Sequence, residues 1–329
     1  MSKALGLPVA VDAMGGDRAP SDVVAGARRA AADHAVPVML VGRPDTLGET
    51  GELEVLPASE VIGMDEDPTQ GVRRKKDSSL LRAAEAVRDG RACAMVSAGN
   101  TGATMASALL RMGRLPGVAR PAIATPIPIP GSTPLVLLDA GANAECAAAW
   151  LVQFAQMGTV FAKRRYGVAE PRVALLSIGE EPTKGTPLVK EAHALLAGRS
   201  DINFTGNVEG RDLMNGVADV VVTDGFTGNV ALKTLEGGLR FFVSTMTAAM
   251  ASTEETRKAS EILIPVLAPL ADELNPDSQG GAMLLGVDGV CIISHGSSSV
   301  EAVANAVRVA HELATGGVLE DLRRAVART

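Results

Sequence analysis

The sequence predicts an α/β protein of Rossmann-like, three-layer αβα build around a mostly parallel sheet. Two observations predict it. Short apolar runs (PVAVDA, VPVMLVG, ACAMVSAG, PLVLLDAG, RVALLSIG, DVVVTDG and GVCIISHG) alternate with stretches of helical periodicity. Continuously apolar strands between helices belong to a parallel sheet covered on both faces. Most of these runs lead into Gly and polar residues, giving DAMGGD, SAGNTG, DAGAN, SIGEE, TDGFTGN and SHGSSS. Open α/β sheets bind ligands at the carboxyl ends of their strands. Six such ends predict one shared site better than six unrelated turns.

The other elements follow in chain order. SLLRAAEAVRDG reads as a helix whose first turn Asp77 or Ser78 caps. The cationic run before it, Arg73, Arg74, Lys75 and Lys76, is either a solvated loop or a contact for an acidic or phosphate-bearing partner. PAIATPIPIPGSTP (121–134) alternates proline with apolar residues, which predicts an edge strand or an extended crossing segment. Lys163, Arg164 and Arg165 suit a helix C-terminus. In 173–186, VALLSI runs into a loop with Gly179, Lys184 and Gly185, and a helix follows. The loop is close to the phosphate-cradling G-x-x-x-x-G-K-[ST], but Lys and Gly are swapped. It therefore reads as an anion site and not as a nucleotide triphosphatase. Within 226–274, Leu232, Leu235, Leu239, Phe242, Met246 and Ala249 step by three and four. A second pattern runs through Ala259, Leu263, Val266, Leu270 and Leu274, where Pro265 and Pro269 must kink or break the helix. A projecting helical hairpin is expected there. No repeat or linker divides the chain, so 1–329 reads as one unit.

Composition narrows the function. A hydrophobic share of 47% excludes a disordered chain. A net charge of −7, with one Trp, one Tyr and six Phe, argues against nucleic-acid binding. No apolar run is long enough to span a membrane, and the start does not read as a signal peptide. Three cysteines without paired spacing fit a reducing cytosol. The four histidines show no metal-ligand spacing, and neither G-x-S-x-G nor a strict G-x-G-x-x-G is present. No metal and no cofactor are expected. His295 sits at a strand end, where a structural and a site role are equally open.

Eight motifs occur in one order along nearly the whole chain: VAVDAMGGD, KKDSS, VSAGNTGA, DAGAN, SIGEEPTKG, GNVEGRD, VVTDGFTGN and GAMLLGVDG with HGSSS. Together they closely resemble the bacterial phosphate acyltransferase family of phospholipid synthesis (PlsX). The resemblance implies a fold related to isocitrate and isopropylmalate dehydrogenases. It implies transfer of an acyl group from acyl carrier protein to inorganic phosphate, feeding a membrane glycerol-3-phosphate acyltransferase. It also implies a cytoplasmic homodimer peripherally attached to the inner face of the cell membrane. A phosphate transferase using coenzyme A and a non-enzymatic carrier-binding scaffold are the alternatives.

The chemistry agrees with the resemblance. Phosphate is ionised near neutral pH, so it needs orientation and charge compensation more than a base. A thiol of pKa about 8.5 leaves without obligatory acid catalysis. On this reading Lys184 binds phosphate or stabilises the oxyanion. Asn229, with the amides near Gly225 and Gly228, fixes phosphate or thioester. Asp224 orients a donor or caps its helix. His295 polarises the carbonyl or protonates sulfur, beside Gly296 and Ser297. Asn100, Thr101 and Gly102 form a second anion-binding helix start. Gly15, Gly16, Gly179 and Gly185 complete the substrate loops, and Asp12 and Asp17 hold loops in place. Arg73, Arg74, Lys75 and Lys76 dock the carrier protein, with Arg111, Arg114 and Arg120 as further candidates.

Overall fold

The computed structural model describes residues 6–327. The first half of the chain forms β1 (Val9–Asp12), α1 (Ser21–His34), β2 (Val38–Gly42), β3 (Glu54–Pro57), α2 (Pro68–Arg74), α3 (Ser79–Arg88), β4 (Ala94–Ser97) and α4 (Thr101–Arg111). It continues with β5 (Ala122–Ile127), β6 (Leu135–Leu138), α5 (Ala148–Tyr166), β7 (Val173–Leu176), α6 (Pro187–Ala197), β8 (Phe204–Val208) and β9 (Val220–Val222). The last elements are α7 (Gly225–Met250), α8 (Glu254–Glu273), β10 (Ala282–Leu285), β11 (Val290–Ile293), α9 (Val300–Thr315) and α10 (Val318–Val326).

One sheet takes up every strand, in the order β3-β2-β1-β4-β11-β10-β5-β6-β9-β7-β8. Side chains alternate across it, as a pleat requires. Val9 and Val11, Ala94 and Val96, and Val290 and Ile292 share one apolar cluster with Phe154 and Phe161 of α5. Ala10, Met95, Cys291 and Ile293 join a second cluster with Leu80, Leu81 and Ala103 of α3 and α4. Helices therefore cover both faces, and the strands are apolar throughout because both faces are buried.

The sheet changes direction in the middle. β10 pairs antiparallel with both β11 and β5, and β5 pairs antiparallel with β6. The strands β3, β2, β1, β4 and β11 thus run one way, and β6, β9, β7 and β8 run the other. The six Gly-rich strand ends therefore fall into two opposed sets, with DAMGGD, SAGNTG and SHGSSS in one and DAGAN, SIGEE and TDGFTGN in the other, yet all but SIGEE contribute residues to one cleft.

The Pro-rich segment is not an edge. β5 pairs with β10 through 122–124 and with β6 through 125–127. Pro126 lies beyond the last β10 partner, so its missing N–H costs no rung there. It is an interior strand, β5, which the alternating prolines had argued against.

Helices α7 and α8 are joined by 251–253. Leu232 and Leu235 pack at the edge of an apolar cluster, but Phe242 and Met246 further out are exposed. Pro265 and Pro269 lie inside α8 without breaking it. Each removes one ladder bond, and the freed carbonyls of Glu261 and Pro265 belong to exposed residues that water can reach.

Candidate active site

A cleft of about 420 Å³ lies where the first set of strand ends faces α7. Loops after β1, β4 and β11 supply Asp17, Gly99, Thr101, His295 and Gly296, and α7 supplies Asn229, Lys233 and Glu236. Ile123, Pro126 and Ala140 add apolar wall.

The three loops are tied to each other. The Asp17 N–H donates to the Gly296 carbonyl at 2.8 Å. A Cβ on Gly15 would stand 2.8 Å from the Gly99 Cα, so two loops meet where neither has a side chain. Gly16 is packed as closely, its Cβ position 3.2 Å from the Gly296 oxygen. Asp12 is buried beneath them and accepts from Ser97 Oγ at 2.7 Å and Met14 N at 3.3 Å. Burial pushes its carboxyl up, against the pull of these hydrogen bonds. Asp12 and Asp17 thus sit where loops are held together.

Two helix N-termini open on the cleft. At α4, Asn100 accepts from Ala103 N at 3.0 Å and donates to the carbonyls of Met64 and Glu66. Gly102 lies under Pro68, 2.6 Å from a Cβ built on it. Asn100 and Gly102 therefore brace the helix start, while Gly99 and Thr101 face the cleft. At α9, Ser299 accepts from Ala302 N at 3.2 Å and donates to Asp277 at 2.6 Å. His295 Nδ1 and Ser297 Oγ are 2.8 Å apart. Both helix dipoles favour an anion in the space between them.

Across the cleft, α7 is pressed onto loop 139–143. Asp224 accepts from Thr227 N and Thr227 Oγ1, both at 2.8 Å, and Gly225 N donates to Asn143 O at 2.7 Å. A Cβ on Gly225 would stand 2.6 Å from Asn143 O, and one on Gly228 would stand 2.0 Å from Asp139 O. The structure thus places Asp224 as a cap and both glycines at a close packing contact. Asn229 follows them and turns into the cleft. Lys233 and Glu236 lie one and two turns on and pair at 2.8 Å.

Lys184, Gly179 and Gly185 lie in the loop after β7, outside the cleft lining. Lys184 is exposed, and among the described residues no carboxylate pairs with its side chain. Gly185 has φ +96, which only glycine adopts freely. Of the cationic run, Arg73, Arg74 and Lys76 are exposed, whereas Lys75 turns inward to Val61 O and Glu66.

Sequence reasoning did not single out Lys233, Glu236 or Asp139. Asn229, Lys233 and Glu236 are spaced by four and three, so they share one helix face. That signal was available beside the apolar seam. Asp139 is buried and accepts from the N–H groups of Ile123, Ala142 and Asn143 and from Asn143 Nδ2. Burial pushes its carboxyl up. The cysteines are not poised nucleophiles. Burial pushes Cys93 and Cys146 up to about 11 and Cys291 to about 12.

The fold is that of phosphotransacylases. A phosphotransacetylase from Streptococcus pyogenes superposes with TM-score 0.65 at 17% identity, covering 95% of this chain and 96% of that one. A branched-chain phosphotransacylase from Enterococcus faecalis V583 gives 0.58 at 15% identity, covering 93% and 99%. The sequence then places the chain more closely: it belongs to the fatty acid synthesis protein family, whose model matches residues 7–321. A phosphate acyltransferase of Nostoc sp. is 44% identical over 323 residues, covering 96% of this chain and 95% of its own. One from Heliobacterium modesticaldum is 46% identical over 313 residues, covering 92% and 93%.

Proposed function

We propose that this protein is an acyl-carrier-protein:phosphate acyltransferase of bacterial phospholipid (phosphatidic acid) synthesis. The observation that supports it best is the convergence of two helix N-termini on a cleft that also holds Asn229 and His295. A phosphate oxygen attacks the thioester carbonyl carbon. The C–O bond forms, the C–S bond breaks, and the thiolate leaves to take up a proton. In this reading the Asn229 amide donates to the developing oxyanion and His295 donates to sulfur. Lys184 supplies the compensating charge. The acyl phosphate then passes to a membrane glycerol-3-phosphate acyltransferase.

Mixing long-chain acyl-carrier protein, phosphate and the protein is expected to release free carrier and acyl phosphate without magnesium. Thioester cleavage that continues undiminished in phosphate-free buffer indicates a hydrolase and defeats the reading. Turnover of acyl-coenzyme A in place of the carrier thioester favours the alternative donor.

The carrier protein docks on Arg73, Arg74 and Lys76. These residues are exposed around the C-terminal end of α2, whose first residue Pro68 packs on Gly102 at the start of α4. Seven helical residues span about 10 Å, so the patch lies near the cleft mouth. An acidic carrier needs such a local cationic surface on a protein of net charge −7. The double variant Arg73→Glu, Arg74→Glu is expected to raise KM for acyl-carrier protein about tenfold with little change in kcat. An unchanged KM removes the patch from docking.

Residues 1–329 act as one catalytic unit of the dehydrogenase-like build, and 226–274 form a helical hairpin excursion within it. No helix among the described residues is long and apolar enough to cross a membrane. Ile262, Ile264 and Leu267 are nonetheless 76%, 55% and 42% exposed. Nearby charges at the start of α8 pair among themselves, Arg257 with Glu254 and Glu261, and Lys258 with Glu254. Insertion of apolar side chains, more than charge, therefore attaches this cytoplasmic protein to the inner membrane face. The exposed outer seam of α7, including Phe242 at 62%, joins a second subunit. Wild type is expected to float with vesicles and Ile264→Glu, Leu267→Glu to stay behind. Equal flotation of both, or none of wild type, ends the membrane proposal, and a monomer by light scattering ends the dimer.

A further inference from the structure

We propose that a groove behind the cleft seats the acyl chain of the substrate and selects its length, an inference that rests on the acyl-transfer reading above. This second cavity, of about 630 Å³, is lined by Pro128, Ile129, Pro134, Glu273, Ser278 and Gln279, among others. It adjoins the cleft, because Gln279 borders both. Pro126 lines the cleft and Pro128 the groove, and residues two apart in extended chain share a face. Leu232 lines the cleft and belongs to the same apolar cluster as Ile129. An apolar wall thus leads from the reacting end into the groove.

Three polar side chains of the groove are engaged within the protein. Glu273 accepts from Gly131 N at 2.9 Å. Ser278 Oγ donates to Asn275 O at 2.7 Å, and Gln279 Nε2 donates to Ser278 Oγ at 3.1 Å. With these three committed within the protein, and Ser132 and Thr133 exposed to solvent, the surface between Pro128, Ile129 and Pro134 suits an alkyl chain, which has no hydrogen bonds to offer. The amide-rich arm that carries the thioester would suit it poorly. That arm enters from the opposite end, where Met64 and Thr101 line the cleft beside α2. The chain therefore points away from the carrier protein, toward the base of α8.

Each buried methylene is worth about fourfold in binding, so chain length is read strongly by such a groove. Thr133 lines the groove, is exposed, and its side chain makes no hydrogen bond among the described residues. Thr133→Trp is expected to lower kcat/KM for palmitoyl-carrier protein by about tenfold or more, the cost of displacing two methylenes. Hexanoyl-carrier protein should change by less than about twofold, because a short chain has few methylenes to place in the groove. Ser132→Trp, on the same rim, repeats the test if the first variant misfolds. Equal loss on both substrates, or no change on either, overturns the proposal. Wild type that makes no acyl phosphate from any chain overturns the parent reading, and this inference with it.

Discussion

Lys184→Ala is expected to lower turnover by about two orders of magnitude, the scale for losing one preorganised charge donor, while the protein stays folded. The charges around the cleft are nearly all negative or neutralised. Asp17, Glu236 and Asp277 bring carboxylates, and Lys233 is the lysine in its lining. Glu236 already neutralises Lys233 at 2.8 Å. Two helix N-termini contribute only partial charge. A dianionic nucleophile therefore calls for a cation that is not committed elsewhere. Lys184 meets that description: it is exposed on the loop after β7, and no carboxylate partners it among the described residues. β7 lies beside β9, whose end leads into α7 and Asn229. An exposed loop lysine contributes little to the core, so thermal unfolding should be unchanged. Lys233→Ala is the informative comparison, expected to cost less because it removes an already neutralised charge. Near-wild-type turnover of a folded Lys184→Ala, or a larger loss in Lys233→Ala, transfers the role to Lys233.

Much of the fold is legible in the chain because burial on both faces writes itself as apolar runs. All seven runs read as strands are strands, from β1 to β11. The strands that were missed carry weak signals for physical reasons. β3 is a four-residue edge with exposed Glu54 and Pro57. β8 contains Gly206 at φ +103 and Asn207, both poor strand residues. β10 is the short AMLL, hidden in a Gly-rich stretch. The reversal of direction at β10 and β5 has no local signature at all, because pairing partners are set by distant segments. The grouping of the strand-end motifs was legible nonetheless, because all but SIGEE contribute to one cleft. Asn229, His295 and Thr101 do reach one cleft, as their positions at strand ends and helix starts allow. Lys184 does not line it, although β6 and β9, which run the same way as β7, deliver Ala140 and Asn229 to it. Gly225 and Gly228 show a different limit. A glycine kept for close packing reads the same in sequence as one kept for a ligand, and only the facing backbone separates the two.

Gly228→Ala is expected to damage both stability and turnover, although alanine is the better helix former. The added Cβ would stand 2.0 Å from the Asp139 carbonyl oxygen, a backbone atom, so a compact side-chain adjustment cannot relieve it. Either α7 lifts off loop 139–143 or that loop moves. Overpacking of this kind costs typically about 1–3 kcal/mol. The loop is held by Asp139, whose buried carboxylate gathers five hydrogen bonds from Ile123, Gly141, Ala142 and Asn143, so α7 is the element that shifts. Asn229 is the next residue and moves with it. A misplacement of about 1 Å in a reacting group costs on the order of a hundredfold in rate. The same helix supplies its own control. A Cβ on Gly237 or Gly238 would meet nothing within 4 Å. Alanine there should stabilise by about 0.5–1 kcal/mol through helix propensity alone and leave turnover intact. Thermal unfolding and phosphate-dependent acyl transfer, measured on Gly228→Ala and Gly237→Ala side by side, separate packing from propensity. If Gly228→Ala matches Gly237→Ala in both, then α7 does not need its close seat on loop 139–143 to position Asn229.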